Sequence, residues 1–312
     1  MNKILIVLFV FINSLCNSYA QEFVSVKPAF EVLQPFLNLR DLSISKDGNE
    51  IYFTNQSVNG SISVICSMQR KEFGKWSSAK ILSFSGKYSD LEPFLSPDNL
   101  SLYFSSNRPK SETDTTSPNY DIWVVKRKKT SDYWGSPINV GFPINTNSDE
   151  FYPSVSEEGN MVLTSTRNGT KGLDDIFYSA LNNGVYSEPI SLSDSINTVA
   201  YEFNAFLSAK EDYLIFTAYN RKDGFGSGDL YSSKKDKNGI WGKAKNLGSQ
   251  INSNAMDYCP FVDETNNILY FTSRRASSTN KNAFMNMTEL ITEITKYENG
   301  LSRIYKVNFM VD

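Results

Sequence analysis

Three observations predict an all-β chain folded as a five-bladed β-propeller of four-stranded antiparallel blades: a motif that recurs five times, four short strand-like segments in each copy, and 13% aromatic residues, which favour pleated sheets. The clearest copy is "DLEPFLSPDNLSLYFSSNR" at 90–108. Its relatives are "EFYPSVSEEGNMVLTSTR" at 150–167, "EFNAFLSAKEDYLIFTAYNR" at 202–221, "DYCPFVDETNNILYFTSR" at 257–274 and a degraded "LRDLSISKDGNEIYFTNQ" at 39–56. The leading acids Asp90, Glu150, Glu202 and Asp257 stand 60, 52 and 55 residues apart, a blade-like period longer than those of helical repeats. One blade cannot bury both of its apolar faces, so the repeat implies a closed ring.

The chain opens with Lys3, an apolar run over 4–12 and small or polar residues ending in "NSYAQ". This pattern reads as a signal peptide over 1–20, cleaved after Ala20. Nine apolar residues are too few to span a bilayer, which needs about 20. Leu15 precedes Cys16 where lipoprotein signals carry a small residue, so lipidation of Cys16 is disfavoured. The expected location is therefore the periplasm, the outer membrane's periphery or the exterior, with no transmembrane segment in the mature chain.

Residues 21–312 are read as a single propeller domain with blades at about 39–89, 90–148, 149–200, 201–255 and 256–312. In each copy the motif supplies the first two strands. A polar loop then leads to a third strand opened by aspartate, as in "YDIWVV" (120–125), "DDIFYS" (174–179) and "GDLYSS" (228–233). A hairpin follows, ending on an aromatic before a small residue at Trp76, Trp134, Tyr186 and Trp241, and "IN[TS]" turns close blades two to four. Blade five ends at its third strand, "SRIYKVNFMVD" (302–312), while "KPAFEVLQPFLNLRDL" (27–42) has the form of the missing segment, so 21–38 is expected to close the ring. Blade five also carries an insertion between 275 and 301, in which Leu290, Ile291 and Ile294 recur at helical spacing. We expect a short amphipathic helix packed on the propeller's own face, with partner docking as the alternative.

The chain contains no histidine, which removes Ser-His-Asp and Cys-His nucleophiles, imidazole metal sites and histidine acid/base chemistry. The net charge is −3, and −4 once Lys3 leaves with 1–20, which gives no electrostatic case for nucleic acid. No cofactor or metal site is read from the sequence.

Blade geometry places the leading acids, the arginines Arg108, Arg167, Arg221 and Arg274, and the third-strand aspartates Asp121, Asp175 and Asp229 on one rim. They are read as structural rim pairs, because equivalent acids lack the asymmetry that acid/base catalysis requires. In blade one Gln56 and Ser61 are read at the arginine and aspartate positions. Trp76, Trp134, Tyr186 and Trp241 are read as interblade packing, and Asn145, Asn197 and Asn252 as bonding local backbone. "DGFGSGD" (223–229) reads as a turn, since it lacks the following helix of a phosphate loop and the spaced acids of a calcium loop. Cys66 and Cys259 fall on non-equivalent strands of neighbouring blades, which argues against a disulfide.

The succession "PFLSPD…LYFSSNR…YDIWV…WGSPINVG…INT" resembles the WD40-like repeats of TolB-type propellers, widespread in exported proteins of Bacteroidota, over about residues 39–309. Similar arrays are often fused to a peptidoglycan-binding domain resembling the OmpA type, and no such domain is read here. The resemblance implies a propeller of the cell envelope. The function expected is non-catalytic binding or scaffolding, engaging an envelope protein or a cell-wall or surface glycan through the face that carries the long loops. The alternative is a glycosidase-like enzyme using axial carboxylates, for which Asp90, Glu150, Glu202 and Asp257 are the candidates.

Overall fold

The computed structural model describes residues 25–111, 119–277 and 283–310, so the segment 1–20, with Cys16, lies outside the described residues. Five four-stranded antiparallel sheets form the five blades. In chain order their first, innermost strands are Leu39–Ile44, Asp90–Leu95, Glu150–Val155, Tyr201–Leu207 and Asp257–Asp263. The fifth sheet is completed by Lys27–Pro28, which pairs antiparallel with Arg303–Asn308 (Lys27 opposite Lys306). Alternate positions of the inner strands face the two neighbouring blades, so these strands are buried almost throughout and the core runs between blades.

Every inner strand is interrupted at the same place by a β-bulge, whose residue has left-handed φ: Asp41, Glu92, Tyr152, Asn204 and Cys259, at 49–60°. None is glycine, so the conformation is strained in each blade and is held by the surrounding contacts.

The aromatic at each hairpin end packs on the blade before it. Trp134 meets Tyr52 edge-on at 6.0 Å, and Trp76 meets Phe30, which itself stacks on Tyr270 of blade five. Trp241 joins a cluster with Ile176, Leu192 and Tyr178 of blade three. Beneath Trp134, Arg127 grips Glu50 of blade one through both Nη atoms, at 3.0 and 2.5 Å.

Asn145, Asn197 and Asn252 each clamp one residue of the third strand, at Ile122, Ile176 and Leu230. Their Oδ1 accepts from that residue's N–H, and their Nδ2 donates to its carbonyl. This backbone partner is about 22 residues away, so each asparagine acts as an extra rung of the ladder, and Asn197 also donates to the local Leu192 carbonyl. In "DGFGSGD" the Asp229 carboxylate accepts from the Phe225 and Gly226 amides, closing a turn. A Cβ on Gly226 would lie 1.8 Å from the Ala255 carbonyl oxygen, so only glycine lets this loop press against the blade's last turn.

Two expectations are corrected. Strand register places Ser57 and Val64, not Gln56 and Ser61, at the arginine and aspartate positions of blade one, because Leu39 faces Asn55 as Asp90 faces Ser106. The helix Met287–Thr295, capped by Asn286, does not pack on the propeller. None of its residues is buried: Leu290 is half-buried, while Met287, Ile291 and Ile294 are exposed, so the propeller does not cover the apolar stripe.

Candidate functional site

The four leading acids are fully buried, and each is held by an arginine and by hydroxyl or amide donors. Asp90 accepts from Arg108 Nη2 (2.6 Å), Ser106 Oγ and Ser85 Oγ. Glu150 accepts from Arg167 (3.1 Å) and from the amide and hydroxyl of Thr146, and Glu202 repeats this with Arg221 (2.8 Å) and Thr198. Burial pushes the pKa of Glu150 up and that of Arg167 down, opposed by the Thr146 donors and by the Glu150 charge respectively. Asp257 accepts from Ser253 and from Arg275 (2.8 Å), not Arg274. The reason is spacing: Arg275 follows Ser273 by two residues, as Arg108 follows Ser106, whereas Arg274 turns to Ser302 and the Tyr258 ring. Each guanidinium also caps carbonyls of the preceding turn and lies over aromatic rings, as Arg108 does over Phe104 at 4.9 Å. In blade one Leu39 and Ser57 replace acid and arginine together, and Phe36 sits on Phe53 where the guanidinium would lie.

The third-strand aspartates do not pair with these arginines. Asp121 accepts from Lys110 and Asn139, Asp175 from the amides of Lys171 and Gly172 and from Ser191, and Asp229 from its own loop. Blade five has Arg303 at this position, fully buried with Nε and Nη2 unpaired among the described residues.

The polar residues that converge on the axis are instead the five at the bulges. Glu92 is their hub: it accepts from Arg40 Nη2 (2.7 Å), the Tyr152 amide (2.7 Å), Ser105 Oγ (3.1 Å) and Asn204 Nδ2 (3.3 Å). Asp41 accepts from Arg40 Nε (2.7 Å) and from the Glu92 amide, and Cys259 Sγ lies 3.3 Å from Asn204 Oδ1. Tyr152 donates its hydroxyl to the Pro260 carbonyl. All five blades therefore meet in one network. Burial pushes Glu92 up to about 7 against the pull of Arg40, with Asp41 adding to the rise. Asp41 and Glu92 are 1% and 3% exposed, and the half-buried Arg40 lies over them. Burial also raises the Cys259 thiol well above its ordinary value and Cys66 to about 11, so neither is a thiolate nucleophile, and both are free.

These axial residues escape a search for shared motifs because their chemistry differs in every blade. The available signal is a polar or ionisable residue two places after each leading acid, inside an otherwise apolar strand.

Two surfaces flank the axis. On the long-loop face the exposed apolar residues include Val58, Ile62, Leu173, Val199, Phe225, Phe284 and Met285, beside Met287, Ile291 and Ile294 of the helix. On the opposite face, at the turns between first and second strands, the axis opens into a cavity of about 370 Å³.

No family model matches the sequence, and no curated protein matches it. Among solved structures the chain is similar to a GH62 hydrolase in complex with xylotriose (TM-score 0.51, 10% identity, covering 91% of this chain and 96% of that one). It is also similar to an alpha-L-arabinofuranosidase from Lactobacillus brevis (0.50, 12%, 88% and 95%) and to TolB from Acinetobacter baumannii (0.48, 12%, 86% and 54%), of which it spans about half the length. At such identities the first two likenesses show a shared fold alone.

Proposed function

We propose that this chain is a non-catalytic binding propeller, exported to the cell envelope, that docks a protein partner through its long-loop face. The observation that carries the reading is the helix Met287–Thr295. Met287, Ile291 and Ile294 recur at i, i+4 and i+7, all at least half exposed, with Phe284 and Met285 beside them. Exposed apolar residues on the loops of other blades extend this surface. Flexible aliphatic and methionine side chains suit a protein surface better than the flat aromatic platforms that stack on sugars. The neutralised rim acids support the non-catalytic half of the reading, and the pattern of residues 1–20 supports export.

The test is affinity capture from envelope extracts with the wild type and an Ile291→Glu/Ile294→Glu double variant. The wild type is expected to retain a protein partner that the double variant loses, at unchanged melting temperature. Equal capture by both, or no protein captured by either, overturns the reading.

A second reading, a carbohydrate-active enzyme, is favoured by one observation: Asp41 and Glu92 are neighbouring axial carboxylates in different environments, with Glu92 raised to about 7. They would take the role for which Asp90, Glu150, Glu202 and Asp257 were candidates. Their burial beneath Arg40 counts against it, and release of arabinose or xylose from glycans by the wild type, lost in Glu92→Gln, would reverse the ranking.

A further inference from the structure

The cavity on the turn face belongs neither to the rim pairs nor to the axial network. Its floor is three phenylalanines from blades two, four and five that meet on the axis. Phe206 and Phe261 have ring centroids 5.4 Å apart, and Phe94 lies 6.0 and 6.3 Å from Phe261 and Phe206. Ile44 and Val155 complete the apolar wall. At about 370 Å³ the cup is in the range that holds a small organic group, and it is open to solvent at the turns.

The rim is charged. Glu157, Asp212, Asp263 and Glu264 line it, against Lys46 and Lys210. Lys46 is committed to Glu157 at 3.4 Å, which leaves three carboxylates against one lysine around an aromatic floor. The carboxylates of Asp263 and Glu264 are oriented by hydrogen bonds from Asn266 and from the Ala209 amide and Tyr213 hydroxyl, and these bonds do not cancel their charge. Of the basic residues on the hairpins between third and fourth strands, Lys128 and Lys129 lie two or three strand spacings of about 4.8 Å further out, where salt screening over about 8 Å damps their influence on the axis. Lys235 and Lys237 line a second hollow together with Asp212 and Lys210, where Lys235 is paired with Glu211 and the carboxylates of Glu158 and Asp236 stand beside them, so that hollow adds no net positive charge to the rim.

An apolar, aromatic-floored cup with a net negative rim has one complementary ligand chemistry. We infer that this cup binds an apolar group carrying a positive charge, its hydrophobic body on the Phe94, Phe206 and Phe261 rings and its cation at the Asp212, Asp263 and Glu264 carboxylates. The rings contribute twice, by apolar contact and by the attraction of a cation to an aromatic face. A basic residue beside a bulky apolar side chain in a peptide, or a free organic ammonium ion, presents this chemistry. The site is on the face opposite the helix Met287–Thr295, so it stands or falls independently of the protein-docking surface.

Calorimetric titration of the purified propeller with three probes tests the inference: the amidated peptide Lys-Lys-Trp-Lys-Lys, its glutamate counterpart, and benzyltrimethylammonium. Saturable binding of the lysine peptide, the ammonium ion or both is expected, none of the glutamate peptide, and weakening as salt is raised. Stronger binding of the peptide identifies a protein segment as the source of the group, and equal or stronger binding of the ammonium ion identifies a free cation. Ala209→Trp, which fills the cup from its rim without touching the floor, is expected to lower the affinity at least tenfold, and Glu264→Gln several-fold, while Ile291→Glu/Ile294→Glu leaves it unchanged. The inference is overturned if neither cationic probe binds, if the glutamate peptide binds as well, or if Ala209→Trp binds undiminished.

Discussion

Four donors surround the oxygens of Glu92, an arrangement that suits the ionised carboxylate, yet burial raises its pKa to about 7 despite the Arg40 guanidinium. The same residue thus holds the ring together and makes it sensitive to pH. Its folded pKa lies above its ordinary 4.5, so the folded state holds the proton more tightly than the unfolded chain. That contribution to stability is fully present below about pH 4.5 and is lost as pH rises through about 7. At 1.36 kcal/mol per pKa unit it amounts to at most about 3 kcal/mol. Chemical denaturation at pH 5 and pH 8 is therefore expected to show a loss of stability with rising pH in the wild type that is smaller in Glu92→Gln. Equal pH dependence in the two proteins would remove Glu92 as its source. The variant isolates this residue from Glu150, Asp174 and Asp229, whose raised pKa values act in the same direction, and from Asp47 and Glu211, whose lowered values oppose it.

At the scale of the strand and its turn, the acid that opens a blade is a clamp. Asp90 joins the last turn of blade one, through Ser85 and the Arg108 contact with the Phe84 carbonyl, to the first two strands of blade two. Asp90 is 0% exposed and Arg108→Ala removes its cationic partner; breaking such a buried pair costs about 3–5 kcal/mol. Arg108→Lys is expected to recover little, because a single ammonium cannot meet Asp90, Ser106 and the Phe84 carbonyl while lying flat on Phe104. Urea denaturation of both variants measures this, and a loss below about 1 kcal/mol in Arg108→Ala would show the clamp to be dispensable. These clamps were legible in the sequence because a scaffold repeats its chemistry: acid and arginine recur at nearly fixed offsets, with a serine between them in blades two, three and five and Ala218 in blade four. Blade five shows where such reading slips: Arg275 stands 18 residues after Asp257, as Arg108 does after Asp90, but Arg274 takes the place of Asn107 and is the first arginine a motif alignment meets. The axial five were not legible as a group, because Asp41, Glu92, Tyr152, Asn204 and Cys259 share a backbone position and no chemistry. Nor could the helix's orientation be read. Its spacing announces an apolar stripe, but that spacing is the same whether the stripe meets the propeller or solvent.

For the molecule as a whole, the ring is closed by a strand from the other end of the chain. Lys27–Pro28 supplies the outermost ladder of blade five, the Ala29 amide donates to the Ile304 carbonyl, and Leu33 is fully buried. Phe30 bridges blade five to Trp76 of blade one, and Phe36 covers Phe53 in the blade that has lost its arginine. The segment therefore carries two interblade contacts as well as a strand, and without it blade one keeps the contacts of its inner strand with the three remaining strands of blade five, among them the hydrogen bond from the Asp41 amide to Thr272. Deleting residues 21–38 is expected to abolish cooperative unfolding, because a propeller's stability depends on neighbour contacts around a closed ring. Deletion alone does not separate loss of closure from loss of core. Circular permutation does, because Lys27 lies opposite Lys306, so that a linker of about four residues from 310 to 25 would make an ordinary hairpin. A permuted chain joined there and opened in the exposed Gly60 turn keeps every side chain while making closure local in sequence. It is expected to unfold in one transition within about 5 °C of the wild type, a shift of roughly 3 kcal/mol or less. A permuted chain that melts in two steps would show that the order of connection, and not the contacts of residues 25–38, holds the ring closed.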